Sequence, residues 1–463
     1  MLFLRKFLGY NLVLPPLKDT KQTRRARLVD LLMQCSRHVP FYEGTFDYFL
    51  STSKDLSDEE FFYSYSHLPI VTKQDLKTKN NSFRHERLKD KVALSNDGET
   101  PAVLSALKHG LIQKDFCISL STGGSSGVPA FRWLDYDDAQ AFAHSFLHSF
   151  QLNGWSPGER FVVYYPLKSY FTSSYADHAS ALNMVLGFTM VPFETVTKES
   201  VEQLLHTLKK RKASLLVIFP CVLQRVAEIM KAENMPPFEG LSYINVSGEY
   251  LLDCSKKYIQ SMFPDSDIQS TYGAVEFGEI AHQSGLCSTD YSVFDDYVYM
   301  EQGPDNTILV TALRQTAFPL VRYKIEDMGR VINEADGRQS LHNLEGKNTD
   351  FVVGADGHHY YASFFNSVIN EINKAFDDTV IHFMLRHDRK HLEINFVLKD
   401  MERASSIEEA MLDTMGKVFS HIPSISVQFH DHFDHDYTRK FKIVAEGDGL
   451  SEVVGGYYHR KAS

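Results

Sequence analysis

The chain is poor in the features that mark several protein classes. Its five cysteines, Cys35, Cys117, Cys221, Cys254 and Cys287, stand far apart with no Cys-x-x-Cys pair. A zinc ribbon and a dense disulfide framework are thereby excluded, and a reducing compartment is expected. Basic residues are in deficit, 48 Lys and Arg against 59 Asp and Glu, for a net charge of −11 with histidine neutral. That balance argues against tracking nucleic-acid phosphates over the whole surface, so no nucleic-acid partner is expected. Long apolar runs are missing too. No segment reaches the ~18 uninterrupted apolar residues of a membrane span. Near the start, Arg5, Lys6 and the Pro15-Pro16 pair break up the stretch that a secretory leader would need. A soluble, cytoplasmic protein is the expectation. Neither a Gly-x-Gly-x-x-Gly fingerprint nor a Gly-Lys-Ser/Thr loop occurs, so the dinucleotide and P-loop modes of phosphate binding are excluded as well.

What is present is globular text of 463 residues, 43% hydrophobic and 23% charged, enough for two or three domains at roughly 150 residues each. Leu28, Leu31, Leu32 and Cys35 recur at helical spacing ahead of Pro40 and predict an amphipathic helix. From about Asp55 to Phe116 the text is polar and mixed, with no sustained period. Beyond it, helix and strand alternate. A helix is predicted over 135–150, a buried strand over 160–166, then helix 198–212, strand 213–220, helix 221–234, strand 242–248, helix 255–263 and strand 267–273. Repeated βα units imply an α/β fold with a mostly parallel sheet covered by helices. The text then turns β-rich, with strands at 297–301 and 307–313. A boundary near Gly346 to Asp350 divides the chain into residues 1–345 and 346–463. The second part has its own helices at 363–376 and 406–419, a strand pair over 379–398 and a last strand at 425–429; it reads as a small α+β domain.

Chemistry concentrates in four segments. Ser121-Thr122-Gly123-Gly124-Ser125-Ser126-Gly127 combines backbone freedom with hydroxyl donors, which suits wrapping phosphate oxygens, although a plain flexible Gly/Ser loop has the same composition. Residues 271–279, TYGAVEFGE, follow a predicted strand, where the carboxyl end of a parallel sheet presents ligand-binding groups, and carry Glu276. Residues 322–331, RYKIEDMGRV, carry Asp327, a carboxylate suited to ribose hydroxyls. Residues 436–444, DYTRKFKIV, place Lys440 and Lys442 on one side of an extended stretch.

In this order and spacing the segments resemble the adenylate-forming superfamily of acyl-CoA synthetases and luciferases, and within it the phenylacetate-CoA ligase-like branch. HVPFYEG (38–44) and LPIVTKQDL (68–76) are similar to that branch's N-terminal motifs. STGGSSGVP resembles the superfamily's phosphate loop, VSGEYL (246–251) its adenine-flanking segment and TYGAVE its Y-G-x-[ST]-E motif. PLVRYKIEDMG is similar to the ribose-binding motif, EGKNTD (345–350) to the hinge motif, and RKFKIV (439–444) to the segment with the adenylation lysine.

The resemblance implies a large N-terminal α/β domain, a small mobile C-terminal domain, and two half-reactions. ATP and a carboxylic acid give acyl-AMP and pyrophosphate; an acceptor, most commonly the thiol of CoA, then takes the acyl group. An amine, a protein thiol, and a non-catalytic nucleotide-binding relative are the alternatives. Carried over, Ser121, Thr122, Gly123, Gly124, Ser125, Ser126 and Gly127 hold the triphosphate, while Gly248, Glu249, Tyr272 and Gly273 border the adenine and the acid. Asp327 binds ribose, with Lys347 nearby; Glu276 is the Mg²⁺ ligand, and Lys440 bridges the acid carboxylate and the α-phosphate. Tyr170, Phe171, Tyr175 and His178 align with the acid-binding region, and they read equally as core aromatics at a helix start. The chain departs from the family pattern at Val275, Lys347, Thr349 and Arg439. Two side features carry less. HDHFDHD (430–436) has the side chains of a divalent-metal site but the composition of a solvated turn. With His282, Cys254 and Cys287 as the nearby donors, a full zinc set is not evident.

Overall fold

The computed structural model describes residues 20–89, 92–94, 116–121, 131–156, 159–166, 189–283, 290–388, 390–434 and 441–446. Helix α1 (Thr20–His38) buries Leu28, Leu31, Leu32 and Cys35, the face that the spacing predicts. Three short helices follow, α2 (Asp47–Thr52), α3 (Asp58–Tyr65) and α4 (Lys73–Thr78). Two of them fall where the sequence shows no sustained period. Each is set by its ends instead: Ser57 with Glu60, and Thr72 with Asp75, form reciprocal capping boxes that satisfy the first backbone donors. At eight and six residues, α3 and α4 are too short for a 3.6-residue period to register.

Strands β1 (Val92–Leu94), β2 (Phe116–Ser121) and β3 (Phe131–Asp135) form a small sheet in that order. Asp135 ends β3 and caps α5 (Tyr136–Leu152), accepting the Asp138 amide at 3.0 Å.

The large sheet begins with β4 (Arg160–Pro166) and β5 (Thr189–Phe193). It continues through α6 (Lys198–Arg211), β6 (Ala213–Ile218), α7 (Pro220–Ala232), β7 (Tyr243–Ser247), α8 (Asp253–Met262) and β8 (Asp267–Ala274). Its remaining strands are β9 (Gly278–Gln283), β10 (Tyr291–Val293), β11 (Val298–Gln302), β12 (Thr307–Ala312), β13 (Tyr323–Asn333) and β14 (Gln339–Lys347). The eleven strands lie in the order β11-β12-β13-β14-β10-β9-β8-β7-β6-β4-β5. From β5 to β8 every neighbouring pair is parallel. From β8 onward every pair is antiparallel. The parallel half reads as continuous apolar runs because both faces are covered. Val162, Leu216, Ile244 and Ile268 pack on α6, α7 and α8, whereas Phe161, Val163, Leu215 and Val217 face Leu147 and Phe150 of α5.

Beyond β14 come β15 (Val352–Val353), β16 (His359–Tyr360), α9 (Ala362–Ala375), β17 (Val380–His387), β18 (His391–Leu398), α10 (Ala404–Val418), β19 (Ser424–His430) and β20 (Val444–Glu446). Four of them form a sheet ordered β19-β18-β17-β20. Its core gathers Phe365, Ile369, Phe383, Ile394, Met411 and Phe419, together with Leu252 and Cys254 at the start of α8. Polar contacts reinforce that junction: Asn366 and Asn370 donate to the Asp253 carboxylate at 2.9 and 2.7 Å, and Ser255 Oγ donates to the Ile381 carbonyl at 3.0 Å. The architecture is α/β, a large mixed sheet built on parallel βα units with a small C-terminal sheet. Among the described residues, no helix is long and apolar enough to cross a membrane.

Candidate active site

Strand direction reverses between β8 and β9, and the TYGAVEFGE segment forms that reversal. A topological switch at the carboxyl ends of parallel strands leaves room for a ligand. The turn is held from beneath by Arg132 of β3, which is fully buried. Its guanidinium donates to the carbonyls of Val275, at 3.2 Å, and of Glu276, and also to Gln315 Oε1. Gln315 in turn donates to the Phe277 carbonyl at 2.8 Å. A charged fork on two adjacent carbonyls fixes the turn far more firmly than van der Waals contact alone. Glu276, so placed, accepts the Tyr323 hydroxyl at 3.3 Å. Burial, then Glu276, drives the Tyr323 phenol well above its usual range.

Asp327 lies on β13, opposite Lys347 of β14 in the strand register. One carboxylate oxygen is 2.9 Å from Lys347 Nζ, and the other accepts the Tyr272 hydroxyl at 2.7 Å. Lys347 also donates to the Ile325 carbonyl at 2.9 Å. Burial disfavours its charge, but Asp327, with Glu276 and Glu326 behind it, raises the ammonium above its ordinary value. The backbone here is strained: Arg322 (φ 51°) and Glu326 (φ 67°) both occupy the left-handed region, a conformation that a non-glycine residue keeps only where its surroundings over-determine it. Arg322 is held by a buried ion pair, its Nε 3.0 and 3.2 Å from the two oxygens of Glu301.

Gly248 follows β7 with φ 87°, a turn that suits glycine, and the chain then presents Glu249. One Glu249 oxygen accepts the Cys221 amide at 3.2 Å, at the N-terminus of α7, where a carboxylate also meets the positive end of the helix dipole. The other accepts the Phe441 amide at 2.7 Å, across 192 positions of sequence. Lys442, next but one to Lys440, pairs with Asp350 at 2.8 Å. The C-terminal segment is thus tied to the loop after β7 and to the start of α7.

Of the residues assigned from sequence, Tyr272, Gly273, Glu276, Asp327 and Lys347 meet around the β8–β9 reversal and the β13–β14 pair, with Gly248 and Glu249 one strand away. Ser121 closes β2. Thr122, Gly123, Gly124, Ser125, Ser126, Gly127, Tyr170, Phe171, Tyr175, His178, Cys287 and Lys440 lie outside the described residues. In the Asp/His tract at 430–436, His430 is buried against Asn395 at 2.7 Å and His432 pairs with Asp434 at 3.0 Å; His435 and Asp436 lie outside the described residues. Among the described residues no three His, Cys, Asp or Glu side chains converge as metal ligands, and the four described cysteines are buried. Sequence reasoning missed Arg132 altogether. Its one signal was a basic residue inside the strand run FRWLD, where Arg132 and Leu134 are buried on one face.

No family model matches the chain. It is 21% identical over 311 residues to the indoleacetate–lysine synthetase of Pseudomonas savastanoi, covering 67% of this chain and 75% of that one. Among solved structures it is similar to 2-hydroxyisobutyryl-CoA ligase in the postadenylation state, with a TM-score of 0.67, 15% identity and 94% of each chain covered. At the same identity and coverage, the same ligase in its thioesterification state gives 0.54. The chain thus has the fold of that acyl-CoA ligase.

Proposed function

We propose that the protein activates a carboxylic acid as its acyl-adenylate and passes the acyl group to a nucleophile. A carboxylate oxygen attacks the α-phosphorus of ATP, the bond from that phosphorus to the bridging oxygen breaks, and pyrophosphate leaves with the electron pair. The nucleophile then attacks the acyl carbon, AMP leaves, and the nucleophile's proton passes to solvent.

The observation that carries this reading is the convergence of Tyr272, Glu276, Asp327 and Lys347 at one sheet reversal, with the segment beside Lys440 tied to Glu249 one strand away. Asp327, oriented by Tyr272 and Lys347, receives the ribose hydroxyls. A lysine cation is needed where two anions meet away from water, and Lys440 supplies it when the C-terminal segment is seated. Glu276 belongs to no group of three or more His, Cys, Asp or Glu side chains among the described residues. Its carboxylate fits a Mg²⁺ ion completed by ATP phosphates and water, which when bound neutralises phosphate charge.

The acceptor in this reading is the CoA thiol, supported by the fold match across 94% of both chains with a CoA ligase. An amine, as on the side chain of lysine, is the second reading, favoured by the sequence match to an indoleacetate–lysine synthetase. Mass spectrometry of reactions containing ATP, an acid, and either CoA or lysine separates them. A thioester supports the first and an amide the second; consumption of ATP to ADP instead of AMP would contradict both.

A further inference from the structure

Glu279 is a buried carboxyl group with no partner. It lies on β9, 3% exposed, and its Oε2 meets no hydrogen-bond donor. Its cross-strand neighbour on β8 is Gly273. A Cβ built on Gly273 would fall 2.7 Å from Glu279 Oε2, so the carboxyl group lies directly over the bare glycine backbone. Burial alone, with no cation or donor to offset it, raises its pKa to about 8.

The hydroxyl and amide groups of Ser145, Ser149, Thr271 and Asn245 are committed elsewhere. Ser145 of α5 accepts the Glu279 amide at 3.2 Å and donates to the Phe142 carbonyl at 2.8 Å. Ser149, Thr271 and Asn245 bond to one another at 2.6 to 3.3 Å. Burial, then His148, draws His282 down to about 4, so that ring is neutral. A structural carboxyl group ordinarily has a cation or several amide donors. One kept without either, beside a candidate site, is the arrangement expected of a group that waits for a ligand.

Position supplies the ligand class. Successive residues of a strand point to opposite faces. Thr271 bonds to Ser149 of α5 and Tyr272 turns its hydroxyl toward Asp327, so Gly273 returns to the α5 face; the pairing with β9 shifts register there, and the Glu279 carboxyl group lies on that same side of Gly273. Gly273 is thus the backbone step between the nucleotide side and the Glu279 side. We infer that Glu279 is the specificity group for the acid, recognising a hydrogen-bond donor, an N–H or O–H, on the acyl portion of the substrate at a subsite over Gly273. The inference rests on the adenylation reading above and adds the substrate's chemistry to it. A pocket with a buried acceptor discriminates strongly against an analogue that leaves that acceptor unpaired.

The test uses matched acids differing by one donor: 4-hydroxyphenylacetate with phenylacetate, indole-3-acetate with its N-methyl derivative, and 4-hydroxybutyrate with butyrate. Their binding to the full chain in the presence of AMP is measured by calorimetry, with pyrophosphate exchange run in parallel. The expected result is at least tenfold tighter binding of the donor-bearing member of one pair. Glu279→Leu and Glu279→Met should each abolish that preference while raising the melting temperature, which a purely structural carboxyl group would not do. No preference within any pair, or a preference that both variants keep, overturns the inference. A Glu279-dependent preference in binding without exchange would uphold the subsite and reject adenylation.

Discussion

Lys347 and Asp327 face each other across the β13–β14 pair, Nζ to Oδ1 at 2.9 Å, and Tyr272 closes on the other Asp327 oxygen at 2.7 Å. The carboxylate is therefore locked in orientation before any ligand arrives. Such preorganisation removes an ordering cost from binding.

Removing either anchor frees that carboxylate. Lys347→Ala and Tyr272→Phe are each expected to raise KM for ATP, about tenfold or more for the lysine, given ~1.5–3 kcal/mol for a charged hydrogen bond. The turnover number should change less. Initial rates of pyrophosphate exchange against ATP concentration give both constants, and an unchanged KM in both variants would contradict the role.

Glu249 ties the C-terminal segment to the large sheet through the Phe441 amide, and its other oxygen holds the start of α7. Glu249→Ala should lower the rate of adenylation more than nucleotide affinity, because the segment carrying Lys440 loses its seat. Hydrogen exchange reads this directly: the Phe441 amide, protected in the wild type, should exchange at least tenfold faster in the variant. Equal protection would show that the contact does not hold the segment.

Arg132 acts from within the core. Arg132→Met removes the donor from two carbonyls at the Glu276 turn, leaving acceptors that cost about 1–3 kcal/mol each when unsatisfied. A lowered melting temperature and a fall in exchange rate are expected together. A stable variant with normal exchange would mean that the turn is rigid without it.

The Glu279 carboxyl group makes a pH prediction whose sign is fixed. Its folded pKa, about 8, lies above the ordinary 4.5. Between those values the folded chain keeps a proton that the unfolded chain has lost. Stability therefore falls as pH rises from about 4.5 and levels off above about 8, with a total of a few kcal/mol at stake. The titratable rings in the same layer, His148 and His282, are both lowered by burial; they add the opposite slope below about 6.5, so the Glu279 contribution is read from the difference between the wild type and a variant that lacks the carboxyl group. Glu279→Gln should be more stable than the wild type at pH 8, with the gap closing toward pH 5. Parallel melting curves across that range would contradict the assignment.

The parallel half of the sheet was legible because strands such as β4 and β6 are buried on both faces and read as unbroken apolar runs between amphipathic helices. The antiparallel half was less so. Strand β13 carries a register shift between Met328 and Arg330 and the left-handed Glu326, features that break the alternation by which a strand is recognised. Asp327 and Glu276 stood out through the motifs around them. The roles of Glu249 and Arg132 did not, because their partners are mostly backbone groups far away in sequence, which carry no side-chain signature. Glu279 lay inside a segment already singled out, yet only burial without a partner distinguishes it.

The central claim is acid-dependent adenylation, and exchange of labelled pyrophosphate into ATP tests it most directly. The wild type, run over aryl, fatty and amino acids, should exchange label with one class of acid, and Lys440→Ala should lose that exchange while still binding ATP. ATP binding with no exchange for any acid, or exchange that survives in Lys440→Ala, would contradict the account.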